Sequence, residues 1–248
     1  MHQRQARRCI ADRDANRNSV VHLVDISVGF IRTELKRHHI VMDRRESKWD
    51  GPSDRSGGRV SRREELIFAA ASLFAEEGFH QTSMERLAEH VGLAKPTLYH
   101  YFKSKEEILF EIHLHFIEPL IKSQLRRVEL GMDPSQMLLE YIVDHLEALR
   151  DKPGLLQLFF EHRRELGSAR QVEARENRRR YRLLIEDIIR AGITSGQFRE
   201  VDVRLTTFAL FGMVNWASKW YRLEKQLNPR EAGYILWDQF WRGLQNTS

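Results

Sequence analysis

Residues 81–104, QTSMERLAEHVGLAKPTLYHYFKS, are the stretch from which the fold is predicted. Either Thr82 or Ser83 is suited to cap a first short helix, and Glu85 would complete a capping box with Thr82. Apolar side chains then recur three and four residues apart, which is the spacing of one helix face; they are Met84, Leu87, Ala88 and Val91. This helix is therefore expected to bury one side.

A tight turn follows the first helix. Gly92 marks its end, because glycine readily adopts the left-handed backbone that such a turn requires. Pro96 falls in the first turn of a second helix, where the missing amide hydrogen has no helical partner to lose. The connection is about four residues long, so the layout is that of a helix-turn-helix.

The second helix has two different faces. Ala94, Leu98 and Phe102 share a side that is expected to dock on the rest of the domain, with Tyr101 at its margin. The other side is short, cationic and rich in hydrogen-bonding groups, as a helix in the DNA major groove requires. The candidates for contact with base edges are Lys95, Pro96, Thr97, Tyr99 and His100.

The segment from Arg62 to Ile112 closely resembles the DNA-binding domain of the TetR family of transcriptional regulators. The resemblance rests on a helix of the right length before the motif, the Gly78-Phe79 pair, and the run LAKPTLYHYFKSKEEIL. It implies that Thr82, Tyr101 and Lys105 hold DNA phosphates. Phosphate contacts fix the register on DNA, whereas base contacts read its sequence.

Composition describes an ordinary globular chain of 248 residues with 42% hydrophobic content. The sequence pI of about 9.4 favours a nucleic-acid partner, but the charge is uneven. Residues 1–60 hold 13 Lys and Arg against 8 Asp and Glu, residues 61–115 hold 6 against 9, and residues 116–248 hold 21 against 18. The helix-turn-helix segment is thus formally acidic, and the motif carries more weight than the pI.

Several other classes of protein are disfavoured. The lone Cys9 excludes an intramolecular disulfide and a cysteine-rich zinc site, and a reducing cytoplasm is the expected location. No apolar run approaches the ~20 residues that span a bilayer. No nucleotide loop, nucleophile elbow or His-Glu-x-x-His pattern appears, so neither an enzyme nor a cofactor is predicted. His113 and His115, with Glu111, are interpreted as surface residues, and no metal site is predicted.

Three segments are expected. Residues 1–60, rich in Arg, Asp, Ser and Gly, form an arm that we expect to be disordered, and translation is suspected to begin at Met42. Residues 61–112 form the helix-turn-helix domain. Residues 113–248 form a larger helical body for ligand binding and dimerisation, so the fold class is all-α. The long helix that Ser104 is expected to cap, with an expected kink at Pro119, would connect the two parts. Asp133-Pro134 and Asn228-Pro229 are each expected to start a helix of the body.

The carboxyl-terminal helices indicate a dimer. The run LTTFALFGMVNWASKW is apolar nearly all round, and the last helix carries more aromatic residues than one layer can bury. A four-helix bundle between two copies is the simplest way to bury these apolar faces, and the family resemblance implies the same dimer. The candidate interface residues are Phe208, Phe211, Trp220, Trp237, Phe240 and Trp241.

A body of this size is expected to hold a cavity lined by apolar and aromatic groups. The candidates are Phe159, Phe160, His162, Met213, Trp216 and Tyr221. The run NWASKWYR followed by NPREAGYILWDQFWRGL resembles the acyl-CoA-responsive branch of the family, which implies that Trp216 lines the ligand site. Arg163, Arg164 and Arg222 are candidates for a cationic mouth.

The prediction is a dimeric repressor that binds an inverted-repeat operator and is released by a small hydrophobic effector, with an acyl-CoA thioester favoured. Two alternatives stay open at this point. One is a drug- or toxin-responsive repressor of an efflux gene. The other is a helical interaction protein that does not bind DNA, for which changing Tyr99 would have no effect.

Overall fold

The computed structural model describes residues 61–152, 155, 158, 162, 165–221 and 227–246 of the chain. Within these residues the backbone forms helices and connecting turns, with an isolated bridge between Phe198 and Gln245. The helices of this described part are α1 Arg62–Glu77, α2 Met84–His90, α3 Lys95–Tyr101, α4 Lys105–Glu129, α5 Pro134–Asp151, α6 Ser168–Thr194, α7 Val203–Trp220 and α8 Pro229–Leu244. The all-α prediction is confirmed, and the amino-terminal arm with Cys9 and Met42 lies outside the described residues.

The first three helices and the start of α4 enclose a small core, and this unit is called the head. Its largest buried side chains include Phe74 and Phe79, whose ring centroids lie 5.2 Å apart. Leu98 and Phe102 contribute the buried side of α3, as predicted. Ala94, predicted on the same side, is instead exposed because it is the residue that precedes the helix.

Local hydrogen bonds fix the ends of the head helices. Ser61 caps α1 and forms a reciprocal capping box with Glu64. Ser83, not Thr82, caps α2: its hydroxyl accepts from the amide of Arg86 at 3.1 Å. The capping box predicted between Thr82 and Glu85 is therefore wrong.

The turn between α2 and α3 depends on Gly92. Its φ of +66° is in the left-handed region, which residues with a Cβ rarely adopt. The amide of Leu93 reaches back to the carbonyl of Ala88 at 2.9 Å and closes the end of α2. Pro96 lies in the first turn of α3, as predicted. These features hold the two helices of the motif at a fixed angle.

Helix α4 connects the head to the remaining helices, which are called the body. It has 25 residues and is therefore about 37 Å long. Ser104 caps it by accepting from the amide of Glu107 at 3.3 Å, as predicted. Pro119 lies inside the helix, which continues on both sides of it. The expected kink there stays a prediction.

Two helices of the body begin, as predicted, at a capping residue followed by proline: Asp133-Pro134 for α5 and Asn228-Pro229 for α8. The body surrounds an aromatic cluster. Tyr141 of α5 stacks on Tyr181 of α6 and on Phe211 of α7, each with ring centroids 5.8 Å apart. Ion pairs tie the helices together. Arg127 of α4 donates to both carboxylate oxygens of Asp144 at 2.6 and 2.8 Å, which joins α4 to α5; Arg230 of α8 donates to Glu140 at 2.6 Å, which joins α5 to α8.

Two histidines are buried in the body. His113 was expected on the surface, but only 2% of it is exposed, because its side of α4 packs against α6. Burial lowers the pKa of His113 to about 3 and that of His145 to about 4. Both side chains are therefore neutral in the folded protein at any physiological pH.

Acid is expected to unfold the protein partly through these histidines. Because the pKa values of both histidines in the folded protein lie below the usual 6.5, their contribution to the free energy of unfolding is complete above pH 6.5. It falls as the pH drops towards 4, by about 1.4 kcal/mol per pH unit for each histidine. Replacing His145 with Phe should reduce this slope by about one proton, whereas replacing the exposed Val172 with Ala removes no titrating group and should leave it unchanged. Urea titrations between pH 4 and 7 measure both slopes, and equal slopes for the two variants would contradict the assignment.

In the part of the chain that the structure describes, no helix is long and apolar enough to cross a membrane.

Candidate functional site

The outer face of α3 is open to solvent. Lys95, Pro96, Thr97 and His100 are exposed, and Tyr99 is half-buried. The motif thus presents the five predicted base-facing residues on a short helix that the core holds from behind through Leu98 and Phe102. Their contacts with DNA bases stay a prediction.

Lys95 is engaged within the head. Its ammonium forms an ion pair with Glu85 of α2, and its Nζ lies 5.9 Å from the centroid of the Tyr99 ring. The hydrogen bond from Lys95 lowers the pKa of Glu85 below its usual value. Because both side chains are about half exposed, the pair is easily exchanged for a phosphate or base partner.

An open groove of about 330 Å³ lies between the amino end of α2, the outer side of α3 and the start of α4. Among the residues that line it, Gln81, Ser83 and Lys103 are exposed. These three present an amide, a hydroxyl and an ammonium, which are groups that commonly contact DNA phosphates. Lys103 was expected from the sequence to belong to a basic surface that meets phosphates, whereas Gln81 and Ser83 were not predicted.

Two of the predicted phosphate contacts have other roles. Thr82 is buried, and its hydroxyl donates to the carbonyl of Gly78 at 2.8 Å. Lys105 donates to the carbonyls of Phe79, His80 and Thr82 at 2.8, 3.2 and 3.3 Å. An ammonium has three donors, and in this structure all three are directed at the α1–α2 loop. The phosphate contact of this lysine stays a prediction. Tyr101, the third candidate, is half-buried beside His100, and its contact stays a prediction.

A mostly apolar cavity of about 130 Å³ lies in the body between α4 and α5. Its lining consists of His115, Phe116, Pro119, Leu120, Ser123, Asp144, Ala148, Asp151, Lys152 and Leu155. Burial lowers the pKa of Lys152 to about 8, although the nearby carboxylates of Glu64 and Asp151 oppose this shift. The cavity therefore combines an apolar interior with one lysine and two aspartates at its wall.

The predicted ligand residues that the structure describes, His162, Met213, Trp216 and Tyr221, do not line this cavity. Trp216 is 67% exposed on α7, and Tyr221 is buried, with its hydroxyl donating to the carbonyl of Leu227 at 2.8 Å. Met213 is half-buried against the core, and His162 packs on Phe79 of the head. Phe159, Phe160 and the three candidate arginines Arg163, Arg164 and Arg222 lie outside the described residues.

Helices α7 and α8 carry an apolar face that the described chain leaves uncovered. Its exposed members are Leu205, Phe208, Trp216, Tyr234 and Ile235. Of the predicted interface residues, only Phe208 is mainly exposed. Phe211 stacks on Tyr141, and Trp241 lies 5.9 Å from Phe198, so these two pack largely within their own chain.

Trp220, Trp237 and Phe240 are half-buried. The rings of Trp237 and Phe240 lie 6.2 Å apart, and Trp220 lies 5.9 Å from Tyr221. Each of the three keeps part of its surface open. Their participation in a dimer interface stays a prediction.

Two family models match the chain over these same regions. Residues 66–112 match the model of bacterial regulatory proteins of the tetR family, and residues 131–244 match a tetracyclin repressor-like carboxyl-terminal domain. The HTH-type transcriptional repressor KstR2 of Rhodococcus jostii strain RHA1 is 30% identical over 174 residues, which cover 69% of this chain and 85% of that protein. The chain belongs to the TetR family.

Two further similarities agree with TetR-family membership. The structure of the ketosteroid transcriptional regulator KstR2 of Mycobacterium tuberculosis matches with a TM-score of 0.70 at 26% identity, covering 77% of this chain and 98% of that one. The fatty acid metabolism regulator protein of Bacillus subtilis strain 168 is 27% identical over 61% of this chain and 78% of its own length. TetR-family proteins are transcriptional regulators rather than enzymes, and the head contains the residues that match the tetR-family model. That the head is the DNA-binding unit stays a prediction.

Proposed function

We propose that the protein is a dimeric repressor that binds an inverted-repeat operator and is released by a small hydrophobic effector, favouring an acyl-CoA thioester. The exposed outer face of α3, with Lys95, Thr97 and His100 beside a groove suited to phosphates, carries the DNA-binding half of this proposal. Such a face enters one major groove, and one helix alone reads only a few base pairs. The protein would act in the cytoplasm, where bacterial DNA lies.

A dimer would supply the second reading helix. The uncovered apolar face of α7 and α8 includes Phe208, Trp216 and Tyr234, and large exposed apolar patches mark interaction sites. If two copies pair through this face by a two-fold axis, each presents an α3 to one half-site. The operator would then be an inverted repeat, with half-sites whose spacing matches the two heads.

The cavity between α4 and α5 supports an apolar effector. Its volume of about 130 Å³ is smaller than the ~300 Å³ at which ligand pockets usually begin, so it would hold only the acyl part of a thioester unless it widens. The similarity to a ketosteroid regulator and to a fatty acid metabolism regulator favours this class. A lipophilic drug or toxin fits the same apolar walls and remains the alternative effector.

Release would pass through α4. Phe116, Pro119 and Leu120 of this helix form one wall of the cavity, and Lys105 at its start holds three carbonyls of the α1–α2 loop. A ligand that displaces α4 would therefore move the head relative to the body. Since a dimer must fit two half-sites at once, a change in the separation of its heads lowers operator affinity. The required coupling is typically about 1–3 kcal/mol.

The test is a fluorescence-anisotropy titration of the DNA upstream of the protein's own gene, with and without a panel of acyl-CoA thioesters. Tight, salt-dependent binding that one thioester reverses is the expected result. Operator binding that only lipophilic drugs reverse would support the alternative effector, a lipophilic drug or toxin, and contradict the acyl-CoA thioester. If genome-wide footprinting also finds no bound site, the repressor proposal fails.

Replacing Glu85 with Gln is expected to tighten operator binding several-fold. The substitution frees Lys95 from its ion pair and removes a negative charge beside the DNA-facing side of α3. The dependence of log affinity on log salt should steepen by about one counterion per head. The control is Glu76→Gln, which removes an exposed carboxylate near the carboxyl end of α1. An equal gain in operator affinity in both variants would contradict the proposed role of Glu85.

A further inference from the structure

Three potential metal ligands meet where the head touches the body. His80 belongs to the loop between α1 and α2, and His162 and Glu165 belong to the chain before α6. The Nε2 of His80 lies 3.1 Å from Oε1 of Glu165, and Nδ1 of His162 lies 3.6 Å from the same oxygen. One ligand atom from each of the three residues lies within 4.8 Å of the other two.

The spacing of these atoms suits a tetrahedral metal ion. Histidine nitrogen and carboxylate oxygen bind Zn²⁺ at about 2.0–2.2 Å, which places neighbouring ligand atoms about 3.3 Å apart. The two distances to Glu165, at 3.1 and 3.6 Å, lie on either side of that value. Two histidines and one glutamate leave the fourth position for water, as in zinc sites with three protein ligands.

Two atoms of the cluster are buried without a hydrogen-bond partner. They are Nδ1 of His162 and Oε2 of Glu165. Buried polar atoms in folded proteins nearly always have a partner, so such a pair within one cluster indicates an absent one. The side chain of His80 is 63% exposed and provides a path for an ion from solvent.

We propose that His80, His162 and Glu165 form a binding site for a divalent transition metal of the Zn²⁺ class, which joins the head to the body. His80 supplies the ligand from the head, and the other two supply ligands from the body. The ring of His162 also packs 5.3 Å from that of Phe79, in the loop that Lys105 holds. A bound ion would fix this loop against the body at a second point. The described lining of the effector cavity contains none of the three ligands, whereas His80 also lines the groove beside α3.

The site is tested on the untagged, full-length protein after removal of metal with a chelator. Titration with Co²⁺, followed by visible absorption, is expected to reach one ion per chain with the intense bands of four-coordinate cobalt. Zn²⁺ should displace it, with affinity measured by calorimetry. His80→Ala, His162→Ala and Glu165→Gln should each weaken binding by more than about tenfold, whereas the exposed His90→Ala should bind as the unchanged protein does.

The His80→Ala variant is decisive, because an exposed side chain can be removed without unfolding the head. Circular dichroism confirms that each variant keeps its helices. Histidines also occur in the amino-terminal arm, at positions 38 and 39 among others. Binding that survives all three substitutions would assign the metal to such residues and overturn the proposal. Failure of the unchanged protein to bind Co²⁺ or Zn²⁺ would also overturn it and leave an ordinary His80–Glu165 ion pair.

Discussion

Replacing Tyr99 with Ala is expected to reduce operator affinity by between about 30-fold and 10⁴-fold. A contact between a reading side chain and a base typically contributes about 1–3 kcal/mol, and a dimer loses it twice. Tyr99 lies at the centre of the outer face of α3, and its ring lies 5.9 Å from Nζ of Lys95. Its removal therefore also frees the lysine from one of its neighbours. Anisotropy titrations at fixed salt concentration measure the loss.

Two further variants separate this effect from damage to the fold. Tyr99→Phe keeps the half-buried ring and removes only the hydroxyl, so an intermediate loss is expected. His90→Ala changes an exposed residue of α2 outside the outer face of α3 and should leave affinity unchanged. If Tyr99→Ala binds operator as well as His90→Ala does, α3 does not read the DNA.

Replacing Trp216 with Glu is expected to split the dimer and lower operator affinity by about 10²- to 10⁴-fold, the gain that linking two binding units commonly gives. Trp216 is 67% exposed in the single chain, so the substitution leaves the monomer core intact. In a dimer built on α7 and α8 it would bury an unpaired charge, which is strongly unfavourable. Sedimentation velocity and anisotropy on the same sample report assembly and binding together.

Val172→Glu is the matched control for this substitution. Val172 is 66% exposed, but it lies in α6 and outside the apolar face of α7 and α8. The Val172→Glu protein should therefore remain dimeric and bind operator as the unchanged protein does. A Trp216→Glu protein that sediments as a dimer would show that the uncovered face serves another purpose.

Local sequence chemistry was sufficient to predict much of the architecture. Gly92 and Pro96 define the turn of the motif, and Asp133-Pro134 and Asn228-Pro229 start two body helices where they were predicted. These predictions succeed because a cap or a turn depends on residues a few positions apart. The helical content and the motif follow from the same local rules.

Tertiary contacts give several residues roles that no local pattern shows. Thr82 and Ser83 are adjacent hydroxyls, and only the packing of the head shows that Thr82 faces inward. Lys105 is a plausible phosphate ligand by sequence, but carbonyls more than twenty residues earlier take its three donors. His80 and Glu165 are 85 positions apart, so no local pattern relates them.

The cavity is likewise beyond a local pattern. Its walls come from α4 and α5, whereas the candidate ligand residues were chosen for aromatic character in later helices. Aromatic residues such as Phe211 and Trp241 are partly buried against the core of their own chain. Composition along one helix does not show which neighbour covers it.

The ion pair between Lys95 and Glu85 bears on how quickly the protein finds its operator. A bacterial genome offers millions of wrong sites, and nonspecific binding to them is almost entirely electrostatic. Because the predicted reading lysine is paired within its own head, we expect the head to spend less time on each wrong site and to exchange Glu85 for a base only at the operator. We therefore expect Glu85 to shorten the search at the cost of some final affinity.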